Sequence, residues 1–344
     1  MKLSLFPLTT LSGLALGQIS HLGELNETFD PLPTTAEGPT IPPSGFLTMP
    51  LGFGTYVVLD GFYQAMFVVS TEGVIVIDAP PTTDMNLVFA IGNVTDKPVT
   101  HMIYSHAHSD HIGSAFRFVG PHVDIIAHEE TLRLLQEVPP DSFRPLPKTT
   151  FRENFKLVVG NQTIQLSYKG ENHCPGNIFI YLEAVKALMV VDVVFPGWVP
   201  FSGLAESTNI PNWIKAHEEV LDFDFTHYIG GHLDRVGTRE DVLTQQDYVN
   251  DLFENCNATI SLTATNDPLL GANNILSSVL KNNPGNGWAE FKVYLDLVAE
   301  RCANITNEKW GTILGGADAF GFENAYVMME ALRISFDVLG PFRA

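Results

Sequence analysis

From about Gly52 to His232 the chain repeats one pattern, short Val- and Ile-rich runs closed by Gly, Asp or Pro. "TYVVLDG", "AMFVVST", "GVIVIDAP", "VTHMIYS" and "VDIIAHE" are apolar at consecutive positions rather than at alternate ones. That is the composition of strands in a sheet covered on both faces. "FKLVVGNQTIQLSYKG" reads as a hairpin turning at Gly160-Asn161, "NIFIYLEAVKALMVVDVVF" as two more strands, and "FTHYIGGH" as a last one. Between them, "DMNLVFAIGNVT", "EETLRLLQEV" and "NWIKAHEEVLDF" have the apolar spacing of helices, and "SAFRFVG" is expected to open another. Strands and helices interleaved in this way imply an α/β fold with helices outside two stacked sheets.

The flanks differ. Residues 18–50 are rich in Pro, Thr and Gly ("DPLPTTAEGPTIPPSG") and read as an extended arm. After about Arg239 the pattern becomes long and helical, so residues 241–344 are expected to form a helical C-terminal extension to a central domain at 51–240. No internal repeat is evident. The first 17 residues, with Lys2 ahead of an apolar stretch too short to span a bilayer, read as a secretory signal, with the mature chain starting at Gln18. Five N-x-[ST] sequons, at Asn26, Asn93, Asn161, Asn257 and Asn304, agree with a secreted glycoprotein. Of three cysteines, Cys256 and Cys302 lie in the same helical region, each just before a sequon, and are expected to pair in an oxidising compartment. The formal charge of −20 disfavours nucleic acid and anionic lipid as partners. It leaves a small-molecule substrate as the expectation and the oligomeric state open.

The chemistry concentrates in "HMIYSHAHSDHIGSA", residues 101–115, directly behind a strand. His106 and His108 are two apart, so in an extended loop both point the same way. Asp110 and His111 follow as the chain turns into a helix. Imidazole with carboxylate suits zinc. Four ligands from one turn close around a single ion only with strain, so two neighbouring ions are the easier arrangement. Three further candidates stand at other strand ends: His173 in "ENHCPGN", Asp192 at the end of "ALMVVD", and His232 in "YIGGH". A carboxylate ending an apolar strand is costly to bury without a partner, and a metal supplies one.

In that order, "HAHSDH", "ENHCPGN", "VVDVVFPG" and "IGGH" resemble the metallo-β-lactamase fold superfamily over roughly residues 52–240. The resemblance implies an αββα sandwich with two zinc ions at the sheet edge. It assigns His106, His108 and His173 to one ion, Asp110, His111 and His232 to the other, and Asp192 to both. An aspartate at the bridging position is the pattern of glyoxalase II-like thioesterases and lactonases, whereas antibiotic-destroying members usually carry Cys or Ser there. The activity implied is hydrolysis of an ester, lactone or related carbonyl by a hydroxide held between the metals. A zinc-bound water reaches a pKa of about 7, and Asp110 would orient it and relay a proton. The same fold hosts two other classes: iron-dependent oxidoreductases resembling persulfide dioxygenases, and proteins that bind metal without catalysis. The first leave second-site ligands unused and the second tend to lose ligands, whereas this chain keeps all seven. Aromatic residues near the cluster, Phe195, Trp198, Phe201 and Tyr63, are candidates for an apolar substrate pocket, though core packing also accounts for the first three. Cys174, beside His173, reads as a small buried filler.

Overall fold

A computed structural model describes residues 28–342, so the expected signal segment and Asn26 lie outside the described residues. The compact unit begins at Leu32. It contains two sheets. The first runs β1 (Leu47–Gly52), β2 (Thr55–Leu59), β3 (Gln64–Val69), β4 (Val74–Ile77), β5 (Val99–Ile103), β6 (Asp124–His128) and β7 (Thr149–Phe151), neighbours in that order. Its first four strands pair antiparallel, and β4 to β7 pair parallel. The second sheet has the order β12 (His227–Ile229), β11 (Ala187–Met189), β10 (Phe179–Leu182), β9 (Gln162–Ser167) and β8 (Asn154–Val159). All of its pairs are antiparallel except β11 with β12.

Period-two alternation splits each strand between two cores. Val57, Leu59, Met66, Val68, Ile75 and Ile77 of the first sheet meet Leu157, Ile164, Leu166, Ile180, Met189 and Ile229 of the second. The opposite faces of the same strands, Val58, Phe67, Val76 and Met102, pack on α1 (Asp84–Gly92) and α3 (Glu129–Glu137) through Leu87, Ala90 and Leu135. The outer face of the second sheet, Phe179, Tyr181 and Leu188, packs on Trp213, Ala216 and Val220 of α5 (Ile210–Leu221). Inner strands such as β3, β4, β10 and β11 are therefore buried on both sides, which is why they read as continuous apolar runs, whereas β8 and β9 alternate between buried and more exposed positions.

The hairpin turn is the two-residue Gly160-Asn161, with Val159 opposite Gln162 and Gly160 at φ +55°. Two expectations need correction. "SAFRFVG" makes only a short 3-10 turn, Ala115–Arg117. The run is cut by Gly120-Pro121 before a helix can nucleate, and Arg117 is drawn instead into an ion pair with Asp84. The stretch read as an arm also contributes structure, because β1 starts at Leu47 and pairs with β2. Pro50 hides that strand from a propensity reading, and it is tolerated because β1 is the sheet edge.

The C-terminal region is helical: α6 (Arg239–Thr263), α7 (Ala272–Asn282), α8 (Gly287–Trp310) and α9 (Ala317–Ser335). Thr238 and Asp241 form a reciprocal capping box at the start of α6. Cys256 on α6 and Cys302 on α8 are joined by a disulfide, Cα atoms 4.9 Å apart, and Cys174 is free and buried. No helix among the described residues is long and apolar enough to cross a membrane.

One segment ties the extension to the sandwich. The loop after β11, residues 190–195, is buried, and its backbone is satisfied by side chains from elsewhere. Trp213 of α5 donates to the Asp192 carbonyl (3.0 Å), Tyr228 to that of Val190 (2.6 Å) and Asn177 to that of Val191 (2.8 Å). Gln245 of α6 accepts from the Phe195 amide (2.7 Å) and donates to the Val193 carbonyl (2.7 Å). Its remaining amide hydrogen faces Nε2 of His217, 2.9 Å away. That nitrogen must accept, so His217 is neutral with its proton on Nδ1, toward the Trp213 and Ile214 carbonyls. Burial lowers its pKa from 6.5 to about 4.

Two outcomes follow for stability. The disulfide closes a separation of 46 residues, for which loop-closure entropy gives about 4 kcal/mol. The double substitution Cys256→Ser/Cys302→Ser is expected to lower the urea midpoint accordingly. An unchanged midpoint removes that role. Because the folded state depresses the His217 pKa, its contribution is complete above pH 6.5 and is lost as pH falls toward 4. At pH 5 the loss is about 2 kcal/mol. Urea titrations at pH 7 and pH 5 are expected to differ by about that much less in His217→Gln than in the unmodified protein; equal pH dependence refutes it.

Candidate metal centre

Parallel pairing brings strand ends together. β4 and β5 finish at one edge of the first sheet, and β11 and β12 at one edge of the second. Asp78 and His106 lie just past the first pair, Asp192 and His232 just past the second, and His173 in the loop between β9 and β10. The single helical turn α2 (Ser109–Ile112) carries Asp110 and His111, with His108 as its N-cap residue. Two backbone features are specific to this edge. Asp192 is buried at φ +62°, in the left-handed region that non-glycine residues rarely occupy. Gly231 has φ +89°, and a Cβ there would stand 2.6 Å from Val191 Cγ1 and 3.0 Å from His111 Cε1. Glycine lets the chain pass under the His111 ring.

All seven residues singled out in the sequence converge. Asp192 Oδ2 is 3.5 Å from His106 Nε2, 3.2 Å from His111 Nε2 and 3.2 Å from His173 Nε2, while its Oδ1 is 2.8 Å from His232 Nε2. Asp110 Oδ2 lies 3.3 Å from His111 Nε2 and 3.9 Å from His232 Nε2. Nitrogens also face nitrogens: His111 Nε2 and His232 Nε2 are 3.1 Å apart, and His173 Nε2 and His108 Nδ1 3.0 Å. His106 Nε2 is buried with no hydrogen-bond partner. The Asp192 Oδ1 contact with His232 lacks hydrogen-bond geometry, which leaves that oxygen unpartnered too.

Electrostatics describe the same demand. Burial lowers the pKa of His106, and of His173 to about 4. For His111 burial acts downward as well, but Asp192 and Asp110 outweigh it and raise the pKa to about 10. Burial would raise both carboxylates; instead the hydrogen bond and charge of His111 take Asp110 to about 2, and His111, His173 and His232 hold Asp192 well below the carboxylate range. Two carboxylates thus draw positive charge into a buried cage of imidazoles, and a proton on His111 supplies one such charge. The residues fit divalent cations. Three overlapping groups have ligand atoms within 4.8 Å of one another: His106, His108, His173 and Cys174; His106, His111 and Asp192; and Asp110, His111 and His232. Burial, the dominant effect, pushes the Cys174 thiol well up, in keeping with a packed neutral side chain.

Around the cluster lies a cavity of about 360 Å³. Phe195, Trp198, Phe201 and Tyr63 all line it, with the Phe195 and Phe201 rings 5.7 and 5.3 Å from that of His232. The Tyr63 hydroxyl donates to Asp110 Oδ2 at 3.3 Å, and burial and nearby Asp110 push its pKa far up. Several participants carry little or no sequence signal. Asp78, buried at φ +58°, accepts from the Ser105 amide (2.8 Å), and burial raises its pKa to about 6. The Ser105 hydroxyl lies 2.9 Å from His106 Nδ1 and the Ser207 hydroxyl 3.4 Å from His173 Nδ1, fixing both rings. Only the strand-ending "IDAP", an aspartate between an apolar run and a proline, hinted at Asp78. Glu206 and Phe320 also line the cavity. Other histidines serve elsewhere: His128 accepts from the Glu130 amide at the start of α3, and His101 contacts Thr100.

Comparison with known proteins agrees with this architecture. The chain is 26% identical over 196 residues to 2,4-dinitroanisole O-demethylase subunit alpha of Nocardioides sp. strain JS1661, a match covering 56% of this chain and 59% of that protein. It is 23% identical over 177 residues to metallo-beta-lactamase type 2 of Elizabethkingia meningoseptica, covering 50% of this chain and 69% of the relative. Among solved structures, a metallo-beta-lactamase from Pontibacter korlensis superposes with a TM-score of 0.51 at 17% identity, over 59% of this chain and 97% of the other. Metallo-beta-lactamase IND-7 gives 0.50 at 18%, over 59% and 98%. The family model covers residues 59–242, more than half of the sequence, and the chain belongs to the metallo-beta-lactamase superfamily.

Proposed function

We propose that the protein is a zinc-dependent hydrolase of an ester, lactone or related carbonyl substrate, using two metal ions per chain. The observation that carries this reading is the cage at the sheet edge: five imidazoles and two carboxylates, with imidazole nitrogens of different residues 3.0–3.1 Å apart. His106, His108 and His173 would hold one ion and Asp110, His111 and His232 the other, with Asp192 between them. Bound there, the ions would supply Lewis acidity toward a carbonyl oxygen and lower the pKa of water.

The chain's own residues divide the remaining work. Asp192 meets the cavity with a side chain only 2% exposed and lies against four imidazoles, so it organises the histidines. Asp110 is 40% exposed and lines the cavity, so it is the carboxylate with access to water and to a leaving group. In hydrolysis the water oxygen adds to the carbonyl carbon, the acyl C–O bond breaks, and a water proton passes by way of Asp110 to the departing oxygen. Tyr63 holds Asp110 in orientation through its hydroxyl. The 26%-identical relative is named for O-demethylation of 2,4-dinitroanisole, so the substrate panel should include an aryl methyl ether beside lactones, esters, thioesters, β-lactams and phosphodiesters.

Asp110→Asn is expected to lower turnover by 100-fold or more while leaving the melting temperature within a few degrees; unchanged turnover removes the proton-relay role. Elemental analysis is expected to find two zinc ions per chain. Iron together with oxygen consumption would replace this reading with an oxidoreductase. We also propose that the protein is secreted and glycosylated: Asn93, Asn161 and Asn304 are exposed, and a disulfide suits an oxidising compartment. Treatment of material from a secreting host with an N-glycosidase should increase its gel mobility, and no change refutes occupancy.

A further inference from the structure

The cavity wall above the metal cage is built from two parts of the chain that lie apart in sequence. Phe195, Trp198 and Phe201 come from the loops after β11, and Phe320 from the first turn of α9. Gly315 binds this stretch in both directions, donating to the Gly197 carbonyl (3.0 Å) and accepting from the Val199 amide (3.0 Å). A Cβ on Gly315 would lie 2.8 Å from Trp198 Cε3, so the two segments approach as closely as backbone allows. The family match ends at residue 242, so the α9 half of this wall lies beyond it.

The second feature is the helical turn α4 (Ser202–Glu206), which is left-handed. Gly203, Leu204, Ala205 and Glu206 have φ of 63°, 57°, 60° and 52°. L-residues resist this conformation by roughly 1–2 kcal/mol each, so something must hold it. Asn324 of α9 does so: buried, it accepts from the Leu204 amide (2.7 Å) and donates to the Pro200 carbonyl (2.8 Å). The turn delivers Glu206 to the cavity rim, where it makes no hydrogen bond or ion pair among the described residues and faces His108.

Asp110 and Asp192 belong to the metal cage, so Glu206 is the one charged side chain of the cavity outside it, beside five aromatic rings; among the described residues no Lys or Arg lines the cavity. Metal ions held in the cage would attract an anion there, whereas an anionic group at the rim would meet Glu206 and no Lys or Arg. An uncharged aryl group at the rim would gain ring contacts and apolar burial.

We infer that this wall makes the site selective for uncharged aryl esters or lactones over anionic analogues, with Phe320 and Glu206 as specificity-determining residues. The inference rests on the hydrolase reading for its reaction but not for its binding preference.

The test uses metal-loaded protein at fixed ionic strength with two isosteric esters, 4-acetoxybenzamide and 4-acetoxybenzoate, and calorimetric binding of their amide analogues, 4-acetamidobenzamide and 4-acetamidobenzoate, to the unmodified protein and to Glu206→Gln, a comparison in which the metals' contribution is common to both proteins. The neutral ester is expected to have a kcat/KM at least tenfold higher. Glu206→Gln should shrink that ratio threefold or more, mainly through KM for the benzoate. Phe320→Ala should raise KM for the aryl esters more than for an alkyl acetate. Equal kcat/KM values, or a preference for the carboxylate, overturn the inference while leaving hydrolysis intact. If Glu206→Gln leaves the affinity of the benzoate analogue relative to the benzamide unchanged, the inference falls whether or not either ester turns over. If neither ester is hydrolysed yet Glu206→Gln raises that relative affinity threefold or more, the selectivity stands and the hydrolase reading falls.

Discussion

Five imidazoles packed around the buried carboxylate of Asp192, with nitrogens about 3 Å apart, are the constraint on which the rest of the molecule depends. Burying that carboxylate carries a desolvation cost that positive charge in the cage offsets. Its surroundings are therefore rigid: Asp192 is held in a left-handed backbone conformation, and the loop around it is anchored by Trp213, Tyr228, Asn177 and Gln245. Rigidity of this kind keeps ligands in place whether or not the charge is present, which is what preorganisation requires.

That scaffold also explains the two-sheet architecture. Ligands from a single strand end could not surround an ion. Two parallel pairs, β4 with β5 and β11 with β12, point four strand ends at one rim, and the α2 turn and the His173 loop complete it. The helical extension is part of the same framework, because Gln245 of α6 closes the hydrogen bonds of the loop bearing Asp192 and Phe195.

Much of this was legible in the sequence, for a local reason. Strands buried on both faces appear as unbroken Val and Ile runs, a two-residue hairpin needs Gly-Asn, and polar ligands stand out at the ends of apolar strands. The rest was set by tertiary context. β1 is an edge strand with a proline, so its propensity is poor and only its pairing with β2 defines it. "SAFRFVG" has helical spacing, but the proline that follows and the Arg117–Asp84 pair stop it short. Ser105, Ser207 and Asn324 are ordinary small polar residues whose work depends on partners up to 124 positions away. The left-handed sense of α4 leaves no mark on "SGLAE" beyond one glycine.

The clamp of Asn324 on that turn makes the C-terminal helices more than an appendage. The cage is assembled almost wholly from the sandwich, whereas one flank of the basin above it is borrowed from a helix that arrives some 120 residues later. Chemistry and recognition are thereby encoded in separable stretches of the chain. A lineage that exchanged or trimmed its tail would lose the side chain that pins the mirror-image coil, and with it the placement of an acid on the rim, while every cage residue stayed encoded as before.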